Sequence, residues 1–355
     1  KNSGTLRITM SARFENLVDV FDHAISQFAS RELFGTKKNG AWVWTTYAEF
    51  ADQVNKARGG LAAIGVARND KIAVIADNRV EWAVLAYASF GLGAAKVPMY
   101  EAQHEKDWEF IIDDCGAKIV VVANKTILEK VQKFFKGNVV CLDGVDGKGA
   151  NGDARVSTYE SLLASNKTLP AIRPKPEDTC CLIYTSGTTG NPKGVILSHG
   201  NISSNVNAVH EVFPMRDDDR SLSFLPWAHS FGQTCELHCL FSVGAGMALA
   251  ESTQKILDNL GEVKPTLLFS VPRIFNKLYQ GIQKKVSDQP GFVQNLVKAA
   301  LRCTAKEREH QRLTLGEHLT LAAADKLVFS KAREMLGGRL KYAFSGGAAI
   351  SRDVA

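Results

Sequence analysis

Apolar positions recur at helical spacing across residues 12–64, which predicts two amphipathic helices, one around Leu17–Phe28 and one around Tyr47–Ile64. The second opens on Thr45-Thr46-Tyr47-Ala48-Glu49, a capping pattern in which a threonine and a glutamate satisfy each other's backbone N–H groups. Between them, Leu33–Phe34 and Ala41–Trp44 flank Lys37-Lys38-Asn39-Gly40, a hairpin signal. Lys71–Ile75 is a short β-branched strand, Val80–Phe90 a helix, and Lys96–Met99 extended chain. A helix over Glu105–Cys115 leads to a buried strand over Lys118–Ala123. Strand and helix alternating at this spacing predict a parallel α/β sheet. Asp143–Asp153 is rich in glycine and aspartate and reads as a loop. Pro170–Asp178 carries three prolines and reads as a linker. Residues 1–170 and 171–355 are therefore expected to form two α/β subdomains.

The second half repeats the alternation. Strands are expected at Cys180–Ile183, Ser221–Leu225, Gly246–Ala250, Thr266–Ser270 and Leu340–Phe344. Asn201 is expected to cap a helix over Ile202–Val212. Further helices are expected over Phe231–Leu240, Ile256–Glu262, Gly291–Arg312 and Leu319–Leu336. Four polar or glycine-rich loops follow strands: Thr185–Gly190, Pro226–Gly232, Val271–Arg273 and Ser345–Ala348. Open α/β sheets bind ligands at the carboxyl ends of their strands, so these loops predict one composite site if their strands share an edge.

One loop dominates the candidate chemistry. Residues 184–195 read Tyr-Thr-Ser-Gly-Thr-Thr-Gly-Asn-Pro-Lys-Gly-Val, between the apolar run Cys180–Ile183 and a second apolar run, Val195–Leu197, that is also expected to be buried. Glycines let backbone N–H groups turn toward an anion, hydroxyls donate to phosphate oxygens or ligate a metal, and the lysine adds a positive charge. It is not a Walker A loop: Pro192 stands where the second glycine belongs, and Gly194 follows Lys193 where a serine or threonine is required.

Composition narrows the partners. With 45% hydrophobic and 23% charged residues, the 355-residue chain is globular rather than disordered. Its net charge of +6 is uneven, because Arg273–Lys341 holds fourteen Lys/Arg against six Asp/Glu. Such a stretch suits CoA or an anionic membrane, or is simply a set of solvated helix faces. No nucleic-acid module is visible. Seven scattered cysteines with no C-x-x-C pair fit a reducing compartment. Cys235, His238 and Cys239 share a helical spacing, but nothing completes a metal site, and a core helix is the plainer reading. The apolar run Trp82–Ala95 is too short to cross a bilayer and reads as a buried helix.

The 184–195 loop resembles the phosphate loop of the AMP-forming, adenylate-forming superfamily of acyl-CoA synthetases, luciferases and peptide-synthetase adenylation domains. Leu225-Pro226-Trp227-Ala228-His229-Ser230-Phe231-Gly232 is similar to the family segment whose histidine lies beside the acyl and adenylate pockets. Val271-Pro272-Arg273-Ile274-Phe275-Asn276-Lys277-Leu278, and the stretch from Lys326 through Ser345-Gly346-Gly347-Ala348, resemble the long-chain fatty acyl-CoA synthetase branch. The likeness runs from about Phe14 to Ala355.

It implies an α/β large domain of two mainly parallel sheets flanked by helices, ending before the β-barrel portion is complete and before the small C-terminal domain. It also implies activation of a long-chain fatty acid by ATP and magnesium and transfer of the acyl group to CoA. In that reading Lys193 meets the β/γ-phosphates, and Thr185 ligates magnesium or a phosphate oxygen. Ser186, Gly187, Thr188, Thr189 and Gly190 surround the pyrophosphate. His229 stands by the acyl group, and Ser345, Gly346, Gly347 and Ala348 approach the adenine. Gln233 stands where some relatives carry a bulky aromatic. Arg273 and Lys277 meet CoA phosphates or a membrane surface, or form a basic helix face packed by its aliphatic stems. Family members continue with a Y-G-x-T-E segment, a ribose-binding aspartate and a lysine-bearing domain, none of which is found in these 355 residues. The chain is therefore expected to be an N-terminal part, inactive alone. A cytoplasmic protein is expected, with peripheral contact with an anionic membrane as an option. The alternatives are an aryl or medium-chain acid ligase and a non-catalytic nucleotide- or acyl-binding module.

Overall fold

The computed structural model describes residues 13–144, 153–186, 191–351 and 354. Its strands are β1 (Glu32–Lys38), β2 (Ala41–Thr46), β3 (Lys71–Ile75), β4 (Ala95–Met99), β5 (Ile119–Val122), β6 (Asn138–Cys141) and β7 (Val156–Thr158). They continue with β8 (Thr179–Thr185), β9 (Lys193–Ser198), β10 (Arg220–Ser223), β11 (Gly246–Leu249), β12 (Leu267–Ser270) and β13 (Tyr342–Ser345). The chain forms two compact units: residues up to Asp218 with Leu225–Leu249, and Asp219–Phe224 with the residues from Ala250 onward.

The first unit is built on a seven-stranded sheet in the order β7-β6-β5-β3-β4-β8-β9. All its pairings are parallel except β8 with β9. Strands β4 and β5 are buried at every position, as parallel strands covered on both faces must be. The helix Val80–Leu92 is buried along nearly its whole length, as its uninterrupted apolar run requires. It ends on Gly93, whose φ of 67° suits a residue without a side chain. A second group of strands pairs β1 in parallel with β11 and antiparallel with β2. The β1–β2 turn places Asn39 and Gly40 at φ 51° and 80°, as a two-residue hairpin demands. Helix Tyr47–Ala63 begins with the expected capping box between Thr46 and Glu49. In the second unit β10, β12 and β13 run parallel, helix Ile256–Val263 packs on β10, and the helices Pro272–Ser287, Gly291–Arg308 and Leu315–Ala324 follow β12 in the chain.

Several sequence expectations need correction. The Pro170–Asp178 stretch does not separate two sheets, because β8 beyond it pairs with β4 before it. The run Val195–Leu197 is not buried. It lies in β9 at the sheet edge, where Val195 is 45% and Ile196 65% exposed. Asn201 is not the cap of its helix. Ser198 is, and Asn201 sits three positions on, completing a capping box at the start of His199–Val212. The region Phe231–Leu240 is a π-helix over Gly232–His238 followed by a short α-helix over Cys239–Val243. His238 and Cys239 are buried, as a core helix places them, and no group of side chains suited to a metal ion occurs among the described residues. Leu319–Leu336 is likewise broken by a π-turn at Asp325–Phe329. Among the described residues no helix is long and apolar enough to cross a membrane.

Candidate functional site

In the first unit the site grows from the end of β8. Parallel pairing with β4 brings that end to the edge where β3, β4, β5 and β6 also finish. The chain then turns back as β9, and the antiparallel register sets Thr185 opposite Lys193. Lys193 thus opens a strand instead of lying within the loop, yet its partner across the ladder is the threonine expected to act with it. Thr185, Ser186 and Lys193 are all exposed at this mouth. Gly187, Thr188, Thr189 and Gly190 lie outside the described residues. Gly194 leaves room for the Tyr184 ring, since a Cβ there would stand 3.0 Å from its Cζ atom. Tyr184 in turn donates its hydroxyl proton to the Asp114 carboxylate.

The segment after Leu225 reaches the same edge through Asn78, three residues beyond Ile75 at the end of β3. Asn78 Nδ2 donates to the Leu225 carbonyl at 2.7 Å, and the Trp227 N–H donates to Asn78 Oδ1 at 2.8 Å. One amide side chain therefore clamps both sides of Pro226. The Trp227 ring is fully buried against Trp82 and Phe34, with centroids 5.6 and 5.7 Å away. Beyond it the His229 N–H donates to the Pro226 carbonyl at 3.0 Å. Gly232 is required by this turn, because a Cβ would lie 2.6 Å from the Pro226 oxygen. The anchored turn leaves His229 exposed. Its Nδ1 accepts the Phe231 N–H at 3.2 Å, so a neutral ring carries its proton on Nε2.

Acidic groups line the neighbouring strand ends. Asp77 follows β3, Glu101 follows β4 and Asp143 follows β6. The Asp77 N–H donates to Glu101 Oε1 at 2.8 Å, and Arg79 bridges Glu81 and Asp143 at 2.9 and 2.8 Å. Burial raises both Asp77 and Glu101 above the ordinary carboxyl range. For Glu101 the charges of Asp77 and Asp143 add to that rise, while the Asp77 N–H and Arg79 oppose it. Sequence reasoning missed Asn78 and these carboxylates. The available signal was position: each stands directly after a short apolar strand, where a parallel sheet presents its ligand-facing groups.

The second unit carries the remaining candidates. Strand β13 pairs with β12 so that Ser345 lies opposite Ser270. The Gly346 N–H donates to the Ser270 carbonyl at 3.1 Å. Gly347 has φ 78°, a left-handed conformation that favours glycine. Ser345, Gly347 and Ala348 are exposed. After Val271, Pro272 starts the helix Pro272–Ser287 and places Arg273 in its first turn. Thr185, Lys193 and His229 thus belong to the first unit, and Ser345–Ala348 and Arg273 to the second.

Comparison with known proteins bears on the family and the fold. Residues 21–355 match the family described as AMP-binding enzyme. The chain is 30% identical over 362 residues to the peroxisomal long chain acyl-CoA synthetase 7 of Arabidopsis thaliana, covering 95% of this chain and 50% of that protein. It is 30% identical over 322 residues to the long-chain-fatty-acid–CoA ligase FadD15 of Mycobacterium bovis, covering 88% of this chain and 53% of that protein. The adenylation domain of a carboxylate reductase from Mycobacterium chelonae superposes with a TM-score of 0.73 at 18% identity, over 96% of this chain and 55% of that one, a likeness of fold. The chain spans about half the length of the curated relatives it matches.

Proposed function

The chain belongs to the AMP-binding enzyme family, and from that premise we propose that it is the N-terminal part of an AMP-forming long-chain fatty acid–CoA ligase. The observation that carries the reading is the β8–β9 mouth, where Thr185 and Lys193 face each other across the ladder at the carboxyl edge of a parallel sheet. Two exposed hydroxyls and an exposed ammonium there suit a polyphosphate. The relatives' long-chain names support the substrate class.

In this reading a carboxylate oxygen of the fatty acid attacks the α-phosphorus of ATP. The bond to the β-phosphate oxygen breaks and pyrophosphate leaves. The CoA thiol then loses its proton and attacks the acyl carbonyl, and AMP departs with the former carboxylate oxygen. Lys193 offsets charge on the leaving pyrophosphate. Ser186 and the loop Gly187–Gly190 hold its oxygens, and Thr185 is the hydroxyl that would ligate the magnesium ion arriving with ATP. His229, fixed by Asn78 through the Leu225–Trp227 turn, orients the acyl carboxylate with its Nε2–H. Ser345–Ala348 serve the adenine side. Arg273 and Lys277 offer charge to the CoA phosphates, and the basic stretch Arg273–Lys341 is also suited to an anionic membrane surface.

The test is product analysis. The complete protein, given ATP, magnesium, palmitate and CoA, is expected to yield palmitoyl-CoA, AMP and pyrophosphate in equal amounts. The 355-residue chain alone is expected to yield none. Formation of ADP in place of AMP, or thioester formation by the isolated chain, contradicts the reading.

A further inference from the structure

The core behind the candidate site is polar where an apolar one would be expected. Lys96 is the second residue of β4, fully buried, opposite Cys181 of β8. Its Nζ donates to the Trp82 carbonyl at 2.9 Å and stands 2.6 Å from the centroid of the Trp82 ring. No carboxylate pairs with it among the described residues. Burial pulls its pKa well below the ordinary lysine value.

Two further buried polar groups are linked to this region, Gln233 through Cys181 and His238 through the charge of Lys96. Gln233 is fully buried, and its Nε2 approaches Cys181 Sγ at 4.0 Å while its Oε1 has no partner. His238 is fully buried, with Nδ1 2.9 Å from the Tyr87 hydroxyl and Nε2 unpartnered. Burial first, and the nearby Lys96 second, push His238 down to about 3, so its ring is neutral. The Trp82 and Trp227 indole N–H groups are also buried without partners. Interiors leave few polar atoms unsatisfied, because each loses its hydration without regaining a partner. Several in one place, two of them carried on a π-helix of the kind common at functional sites, point to a ligand group that completes them.

Position relates this cluster to the reaction. Gln233 follows His229 by one turn, and its N–H donates to the His229 carbonyl at 3.0 Å. Cys181 precedes Thr185 by four strand positions, a span of about 13 Å. Both elements that carry the site therefore lead back to Lys96. We propose that Lys96, Gln233 and His238 form a polar subsite for an oxygen atom borne by the acyl chain, so that fatty acids with a mid-chain hydroxyl or keto group are preferred over plain saturated acids of equal length. This names the substrate class within the ligase reading and rests on it.

The test compares palmitate with mid-chain hydroxy- and ketopalmitates in ATP–pyrophosphate exchange by the complete protein. Wild type is expected to favour an oxygenated acid in kcat/KM by about 10- to 100-fold, the worth of a buried hydrogen-bonded contact. Lys96→Met and Gln233→Leu, checked for folding by circular dichroism, are expected to bring the ratio close to one. An equal ratio in wild type and both variants overturns the subsite. Thermal shift with the acids alone, without ATP, separates the two readings. If no acid supports exchange yet hydroxypalmitate raises the Tm of wild type more than that of Lys96→Met, the ligase reading fails and the subsite stands. If exchange proceeds without such a difference, the subsite fails and the ligase reading stands.

Discussion

Asn78 shows how much of the site one side chain holds. It donates to the Leu225 carbonyl and accepts from the Trp227 N–H, which sets the turn that presents His229. Asn78→Ala would leave both backbone groups short of a partner, at a cost of about 1–3 kcal/mol. The variant is expected to melt several degrees lower and to show a raised KM for the acid, measured by calorimetry and steady-state kinetics. An unchanged Tm and KM would remove Asn78 from its positioning role. His199 gives a pH dependence at the same scale. It is buried, accepts the Leu17 N–H on Nδ1 at 3.3 Å, and is pushed by burial from 6.5 to about 4. The folded ring stays neutral while the unfolded ring binds a proton below about pH 6.5. Its contribution is thus fully present above that value and is lost as the pH falls toward 4. The Tm of wild type should drop more steeply between pH 7 and pH 4 than that of His199→Gln, at equal ionic strength; parallel curves would contradict this.

At the scale of elements, the sequence was most legible where local chemistry decides the outcome. Helix Leu17–Phe28, the Asn39-Gly40 turn and the Thr46–Glu49 capping box all lie where their residues placed them. The capping box offers a direct check: Thr46→Ala is expected to cost about 1 kcal/mol, read as a lowered denaturation midpoint. An effect below a few tenths would show that tertiary packing alone sets that helix start. Legibility ended where non-local pairing decides. Val195 and Ile196 look like core residues, but β9 is an edge strand with no further strand beside it among the described residues. The π-helix at Gly232–His238 could not be read from an α-helical period, and it moves Gln233 and His238 into the core. Lys96 passed as an ordinary residue of an extended run. Only the pairing of β4 with β8 reveals that its amine is enclosed.

At the scale of the molecule, charge and fold make separate claims. The likeness to adenylate-forming enzymes came from one loop and a few strand-end segments, and the match over residues 21–355 agrees with it. The carboxylates at the ends of β3, β4 and β6 went unread because their relation to the loop depends on strand order. The excess of fourteen Lys/Arg over six Asp/Glu in Arg273–Lys341 predicts salt-sensitive binding to anionic vesicles. Co-sedimentation is expected with anionic but not neutral lipid at low salt, and it should fade as salt rises. Equal binding to both lipids would leave those residues as solvated helix faces.

The most direct measurement of the central claim is fatty-acid-dependent ATP–pyrophosphate exchange by the complete protein, compared with its Lys193→Ala variant. Losing one charge-assisted contact to the leaving pyrophosphate should slow exchange by about 30- to 1,000-fold. Exchange that requires the acid and falls by that factor is the predicted result. Exchange at the wild-type rate in Lys193→Ala, or no acid-dependent exchange at all, would contradict the account.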